Sequence, residues 1–138
     1  MNDLVPSLIL RMQEQMREMP QIPLETQHIF AGGLYCRVLP RPAGTLIIGK
    51  KHLKEHLYMV IKGKVSVTNG EDTPIEICAP AVIVSKVGTK RAVLALEDSI
   101  CLTVHRTDET ELDKVEQDLV EPEDNDLYLP GNVLKRLA

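Results

Sequence analysis

The sequence predicts one all-β domain, closed or sandwiched from antiparallel strands, with an amphipathic helix on either side of it. The first observation is a series of short β-prone runs that recur at intervals of about 8–12 residues, with turn residues between them. The second is that helical spacing of apolar residues occurs only before and after this series. The third is the length of 138 residues, which suits a single domain that buries roughly two-thirds of its unfolded surface.

The N-terminal segment, residues 1–20, is predicted to form one amphipathic helix. Over positions 3–19 the apolar residues are spaced three and four apart: Val5, Leu8, Ile9, Met12, Met16 and Met19. Asn2 or Asp3 can cap the first turn, and Pro20 ends the helix. Three methionines on one stripe can form an adaptable partner surface, although packing against a core is the commoner use of such a stripe.

Residues 24–106 are predicted to form the β domain. The predicted strands are His28–Phe30, Leu34–Leu39, Thr45–Ile48, Leu57–Ile61, Lys64–Thr68, Ile75–Cys78, Val82–Val84, Ala92–Leu96 and Ile100–His105. The clearest turn signal is Asn69-Gly70, because both residues tolerate the positive φ that a type I′ hairpin turn requires.

The C-terminal segment, residues 107–138, is predicted to be an acidic, helical extension. Leu112, Val115 and Leu119 recur at helical spacing within residues 109–120, and we expect Pro122 to end this helix. Thr107 or Asp108 is the expected N-cap. Residues 127–138 form an apolar and basic end piece, which we expect to dock on the domain or on a neighbour.

The net charge of −4 conceals two unlike regions. Residues 107–126 contain ten acidic residues and a single basic one, and therefore carry −9, which leaves +5 on the rest of the chain. A run of acidic residues is most often the solvated face of a helix or tail, and this is the expectation here.

The composition excludes several functions. No apolar run approaches the roughly 18 residues of a membrane span, and residues 1–20 lack a basic start followed by an apolar block, so we expect neither membrane insertion nor secretion. Cys36, Cys78 and Cys101 are odd in number and widely spaced, so we expect reduced thiols in an intracellular protein. Four aromatic residues and a negative net charge argue against a general nucleic-acid binder.

The segment from residue 44 to residue 63 contains an ordered set of glycines, histidines and a lysine. They are Gly44, Lys50, His52, His56 and Gly63. Their spacing resembles the first motif of the cupin superfamily, G-x5-H-x-H-x3,4-E-x6-G, at every interval. In this comparison Lys50 stands at the first histidine position and His56 at the glutamate position.

A second segment is similar to the second cupin motif, G-x5-P-x-G-x2-H-x3-N. The corresponding residues are Pro80, Lys86, Gly88, Arg91 and Ala95, with Arg91 at the histidine position. The resemblance extends over about 80 residues and implies a cupin-type double-stranded β-helix, a jelly-roll barrel, with helical additions at both ends. The glycines mark turns of the barrel and say little about function.

In metal-dependent cupins three histidines and one glutamate converge on a divalent metal inside the barrel. The resemblance leaves His52 and His56 as good ligands, whereas Lys50 and Arg91 are cations that offer a metal no lone pair at neutral pH. The sequence therefore departs from the superfamily at its metal site, and the cofactor stays unknown, with a divalent metal as one option.

Three hypotheses account for these residues. In the first, Glu55 or His105 completes a rebuilt metal site with His52 and His56. In the second, Lys50, His52, His56 and Arg91 surround a small anion such as a phosphate, nucleotide or carboxylate, without a metal. In the third, the barrel is degenerate and the protein acts through its outer surface. If His56 points inward, Tyr58 does so too, and its hydroxyl can orient an imidazole or a ligand.

Short stretches along the whole chain resemble small uncharacterised cupin-like proteins of tailed phages and prophages. The stretches are A-G-G-L-Y-C-R from Ala31, E-H-L from Glu55, G-T-K-R-A from Gly88, L-E-D from Leu96 and T-V-H-R-T-D from Thr103. This resemblance implies a non-enzymatic structural or assembly subunit of a virion, located in the virion or the host cytoplasm. The expected partners are further copies of the chain or other phage structural proteins. The alternative is a cupin that binds a small anionic ligand in the infected cell, and a metal-dependent enzyme ranks third.

Overall fold

The computed structural model describes residues 4–19, 21, 24–68 and 73–122, and the backbone of 128–129 and 133–134. Its elements are α1 Leu4–Arg17, β1 Gln27–Ala31, β2 Leu34–Arg41, β3 Leu46–Ile48, β4 His56–Lys62, β5 Lys64–Thr68, β6 Ile75–Cys78, β7 Ala81–Ser85, β8 Ala92–Ala95, β9 Ser99–Arg106, α2 Leu112–Leu119, β10 Tyr128–Leu129 and β11 Val133–Leu134. The nine predicted strands correspond to β1–β9, and the predicted N-terminal helix corresponds to α1.

The strands β1–β9 form two antiparallel sheets. The larger sheet has the order β1-β2-β9-β4-β7, and the smaller has the order β3-β8-β5-β6. Strands that are neighbours in a sheet are mostly distant in sequence, as in a jelly roll, and the predicted all-β class is confirmed. Gly44, Gly63 and Gly88 adopt φ values of +85°, +83° and +89°, which confirms that these positions are turns.

Alternation along the strands of the larger sheet separates a buried inner face from a more exposed outer one. Leu39, Cys101 and Val60 are consecutive cross-strand neighbours on β2, β9 and β4, and each is buried. They pack with Tyr58 and with side chains of the smaller sheet, so the apolar core lies between the sheets.

A second apolar cluster closes the other end of the barrel, where Tyr35 packs with Val115, Leu119 and Val120. Val115 and Leu119 are the buried residues of α2, which therefore docks on the barrel through the apolar stripe that the sequence predicts. Two backbone hydrogen bonds join this segment to the loop before β4, from Leu53 N–H to the Leu119 carbonyl and from Glu121 N–H to the Lys51 carbonyl, each at 2.8 Å.

The predicted N-cap of this helix is wrong. The helix begins at Leu112, its N-cap is Glu111, and the Glu111 side chain makes no capping hydrogen bond. The hydroxyl of Thr107 instead donates to the Asp118 carboxylate at 2.7 Å and accepts from the Glu109 N–H at 3.2 Å. Thr107 thus ties the last turn of α2 to the end of β9.

Among the described residues of the segment 107–138, which we predict to be a helical extension, α2 is the one helix. Beyond it, the short strands β10 and β11 pair as an antiparallel ribbon, with Tyr128 opposite Leu134. The predicted Asn69-Gly70 turn, the N-cap at Asn2 or Asp3 and the stop at Pro20 lie outside the described residues. Within the described ranges, no helix is long and apolar enough to span a membrane.

Candidate functional site

Three histidines from separate parts of the chain meet inside the barrel. His52 comes from the loop between β3 and β4, His56 begins β4, and His105 lies near the end of β9. One ring nitrogen of each lies within 4.8 Å of the others. The ring centroids are 4.2 Å apart for His52 and His56, 4.6 Å for His56 and His105, and 5.7 Å for His52 and His105.

Strand pairing positions two of these rings. The register of β4 against β9 places Leu57 opposite Val104, so His56 and His105 come next to each other on the inner face. Their exposed fractions are only 5% and 3%. On the other side of β9, His105 lies opposite Tyr35, whose ring stacks on it with a centroid distance of 5.9 Å.

Backbone hydrogen bonds hold His52, although it does not lie in a strand. Its N–H donates to the Thr89 carbonyl at 2.9 Å, and its carbonyl accepts from the Gly88 N–H at 2.8 Å. An isolated β-bridge pairs it with Val120, the residue that follows α2 in the chain. The loop that follows β7 and the segment that follows α2 therefore fix the third imidazole from two sides.

Each of the three imidazoles uses one ring nitrogen in a hydrogen bond with the protein. Nδ1 of His52 donates to the Thr89 carbonyl at 3.3 Å, and Nδ1 of His56 donates to the Lys54 carbonyl at 3.4 Å. Nε2 of His105 is 2.9 Å from the Thr103 hydroxyl. Because a carbonyl only accepts, the proton of His52 and of His56 sits on Nδ1, and the lone pair stays on Nε2.

The environment keeps these imidazoles neutral. Burial, together with the neighbouring His56, lowers the pKa of His52 to about 4. Burial also lowers the pKa values of His56 and His105, and the charges of Arg37 and Arg91 act in the same sense on the pKa of His56. Neutral imidazole is the form that binds a metal.

The donor set fits a transition metal. Imidazole suits Zn, Cu, Fe and Ni, and three histidines with one open position is a known arrangement in catalytic zinc sites. Two nitrogens bonded at about 2.1 Å to one tetrahedral ion lie about 3.4 Å apart, so a pair at the 4.8 Å limit has to close by about 1.4 Å when the ion binds.

The structure separates the residues that the sequence groups around His52 and His56. His105 joins them, as one alternative of the first hypothesis predicts, whereas Glu55 is exposed and is not part of the described histidine group. Lys50 points to α2, where its Nζ is 3.9 Å from a carboxylate oxygen of Glu116. Lys50 therefore pairs with a carboxylate of the chain itself, and its expected position beside a bound anion stays a prediction.

Tyr58 lies on the inner face, and its expected role in orienting an imidazole or a ligand stays a prediction. Its side chain is buried in the same apolar cluster as Cys101. Burial is the main cause of its raised pKa. The Arg91 guanidinium lies over the Tyr58 ring, 5.1 Å from the ring centroid. The Tyr58 ring therefore packs against the Arg91 guanidinium.

Sequence reasoning missed an ion pair beside the histidines. Arg37 on β2 donates to Glu116 of α2 at 2.8 Å and, through Nε, to the Tyr35 hydroxyl at 2.8 Å. The Tyr35 hydroxyl also lies 2.6 Å from Nδ1 of His28. Alternation with the inward Leu39 could have identified Arg37 as inward-facing, but no sequence signal places Glu116 against it.

The acidic segment is consequently more than a solvated face. Besides the pair with Arg37, Asp118 lies 2.8 Å from Lys54 and Glu121 lies 3.8 Å from Lys51. These pairs join the acidic helix and the short segment after it to the basic loop between β3 and β4.

An open cleft of about 430 Å³ lies at the end of α2. It is lined by Lys54, Arg106, Thr107, Asp108, Glu109 and Asp118. Its central carboxylate, Asp118, already binds Lys54 and Thr107, and these hydrogen bonds lower its pKa. The histidine group, which brings one ring nitrogen of each of three imidazoles within 4.8 Å of the others, is the better candidate for a functional site.

The fold resembles that of several solved structures. A cupin superfamily protein from Desulfitobacterium hafniense has a TM-score of 0.55 at 12% identity, over 65% of this chain and 83% of its own. KdgF from Halomonas sp. has a TM-score of 0.56 at 14% identity, over 70% of this chain and 89% of its own. DMSP lyase DddQ from Ruegeria pomeroyi has a TM-score of 0.55 at 17% identity, over 64% of this chain and 50% of its own.

These similarities confirm the cupin-type double-stranded β-helix that the motif spacing implies. They concern the fold alone, because every identity is below one fifth. No family model and no curated protein sequence matches the chain. The resemblance to phage proteins stays a prediction.

Proposed function

We propose that this chain is a metal-binding cupin-fold protein that holds a small anionic molecule inside its barrel. His52, His56 and His105 bind the metal. The observation that carries the proposal is the hydrogen bond of one ring nitrogen of each histidine, with the Thr89 carbonyl, the Lys54 carbonyl and the Thr103 hydroxyl. Metal ligands almost always have such an outer partner, which fixes the tautomer and the orientation of the ring.

The anion follows from the charges around the metal. Arg37 and Lys50 share the carboxylate of Glu116, whereas the described contact of the half-buried Arg91 guanidinium is the uncharged face of Tyr58. A divalent ion beside Arg91 leaves positive charge in a site of low dielectric constant, which an anion offsets. The planar guanidinium suits a carboxylate or a phosphate, which it can bind through two hydrogen bonds.

Metal binding is tested by removing all metal with a chelator, adding Zn²⁺ or Co²⁺ and measuring stoichiometry and affinity. We expect one ion per chain, and an affinity at least about 100-fold lower for His105→Ala, because loss of a ligand exceeds the 10–100-fold effect of losing an outer partner. His28→Ala is the matched control, since His28 contacts Tyr35 and lies outside the histidine group. Wild-type protein that retains no ion would refute the proposal.

Anion binding is tested with the metal-loaded protein, with oxalate and inorganic phosphate as probes. We expect at least one of them to raise the melting temperature of the wild type but not of Arg91→Gln. The exposed Arg106 provides a control, and Arg106→Gln should respond as the wild type does. If the anion changes the melting temperature of the wild type and of Arg91→Gln equally, Arg91 does not bind the anion. The proposed metal site would not be affected by this result.

A role as a structural or assembly subunit of a virion remains a second candidate. It is favoured by the outer face of the larger sheet, where Leu57 lies opposite Val84 and the next row contains Val82. These side chains are 38%, 54% and 59% exposed, and contiguous apolar surface of this kind is typical of interaction sites. If this face joins copies of the chain, Val84→Lys should lower the mass measured by light scattering, and an unchanged mass would argue against assembly through this face.

A further inference from the structure

One buried hydroxyl beside the histidines has no role in the site as described so far. Ser85 is 1% exposed, and its Oγ is the one buried side-chain oxygen or nitrogen among the described residues that makes no hydrogen bond. A buried polar atom without a partner costs free energy, and such atoms are rare in native proteins. An unsatisfied hydroxyl next to a candidate ligand site is therefore a sign that a bound molecule supplies its partner.

Strand pairing places the side chain of Ser85 next to the histidine group. Ser85 ends β7 and lies directly opposite His56 of β4. Side chains of directly opposed residues extend from the same face of the sheet, with Cβ atoms about 4.5–5.5 Å apart. The inner face thus carries Ser85, His56 and His105 on three adjacent strands, in that order.

We infer that the Ser85 hydroxyl holds a water molecule in the open coordination position of the metal, an inference that rests on the proposed function. Three histidines occupy three positions of a tetrahedral ion, and the fourth is left to water or to an incoming ligand. A serine hydroxyl both donates and accepts, so it can accept from a metal-bound water and donate to the anion that replaces it. Ser85 is accordingly a positioning residue that favours small oxygen ligands.

The distance to the metal is tested with Ser85→Cys in the full chain. A thiolate at this position can bond the metal directly, so Co²⁺ should produce a thiolate-to-cobalt charge-transfer band that the wild type lacks. Ser66→Cys is the control, because Ser66 is half-buried on β5 of the smaller sheet and should give no such band. The native Cys101 is present in the wild type, in Ser85→Cys and in Ser66→Cys, so any absorption that it contributes is removed by subtracting the wild-type spectrum.

Ser85→Ala gives an independent measurement. Without metal, we expect its melting temperature to equal or exceed that of the wild type, because the substitution removes an unsatisfied hydroxyl. With Co²⁺, the increase in melting temperature should be smaller than for the wild type, and the visible cobalt spectrum should differ. A hydroxyl with only a structural role would lower the melting temperature without metal and leave the cobalt spectrum unchanged.

The outcomes separate the two proposals. If wild-type protein binds no Co²⁺, the proposed metal function fails. If it binds Co²⁺ but Ser85→Cys gives no charge-transfer band and Ser85→Ala leaves the spectrum unchanged, the role of Ser85 is refuted and the metal function stands. If Ser85→Cys does not fold, the cobalt spectrum of Ser85→Ala decides the inference.

Discussion

Replacing Glu116 by alanine tests whether α2 is held to the barrel by charge as well as by apolar packing. The Glu116 carboxylate lies 2.8 Å from the Arg37 guanidinium, and the two side chains are 13% and 14% exposed. Breaking a buried pair costs about 3–5 kcal/mol, whereas an exposed pair contributes about 0–1 kcal/mol. For this partly exposed pair we expect Glu116→Ala to lower the free energy of unfolding by about 2–3 kcal/mol.

Glu116→Gln separates the charge from the shape. The amide oxygen still accepts from Arg37, but the hydrogen bond is no longer between two charged groups, so we expect a loss of about 1–1.5 kcal/mol. Urea unfolding followed by circular dichroism measures both values, and for a chain of this length 1 kcal/mol corresponds to about 3–5 °C in melting temperature.

The control for this prediction is another glutamate of the same region. Glu111 forms an exposed pair with Lys114 at 3.3 Å and makes no side-chain capping hydrogen bond, so Glu111→Ala should change the free energy of unfolding by less than about 0.5 kcal/mol. If Glu116→Ala costs no more than Glu111→Ala, the ion pair does not hold α2, and packing by Val115 and Leu119 suffices.

Three further predictions concern stability. Gly63→Ala should lower the free energy of unfolding, measured with urea, by about 2–4 kcal/mol, because the φ of Gly63 is +83° and a Cβ would collide with the backbone at Asp98–Ser99. A decrease of less than about 1 kcal/mol would contradict this. Val115→Ala, which empties a fully buried position under α2, should cost about 1–3 kcal/mol, and no loss would mean that α2 is not docked in solution. Finally, the three histidines of the site have lowered pKa values in the folded chain, so the unfolded chain binds more protons below about pH 6.5. The free energy of unfolding should therefore decrease from pH 6.5 towards pH 4, the pKa of His52. Replacing all three histidines by glutamine should flatten this part of the pH profile, and an unchanged slope would refute the assignment.

The strands were predictable because their signals are local. β-prone runs alternate with turn residues along the chain, and each of the nine predicted runs is a strand of the jelly roll. The start of α2 was not predictable, because Thr107 and Asp108 are good capping residues by type. Thr107 uses its hydroxyl to bind Asp118 instead, a tertiary contact that competes with capping.

Within the site, motif spacing identified His52 and His56, and His105 was one of the two residues offered as a further ligand. The register of β9 against β4 places His105 on the inner face, because a shift by one residue would turn it to the outer face. Ser85 was beyond reach from the sequence. Its importance depends on burial and on the lack of a partner, and neither quantity is local to the chain.

The charges explain why a metal is tenable in a barrel that carries cations at two former ligand positions. Lys50 at the first position pairs with Glu116, and Arg91 at the second lies on the Tyr58 ring, so neither ammonium nor guanidinium has to occupy the space between the three imidazoles. His105 supplies the third imidazole from β9 instead. The acidic segment of residues 107–126 therefore stabilises the fold, because Glu116 in its helix offsets the positive charges of Arg37 and Lys50. On this argument Glu116→Gln should weaken Zn²⁺ binding in the folded protein, although Glu116 is not a ligand, and an unchanged affinity would show that these cations do not influence the metal.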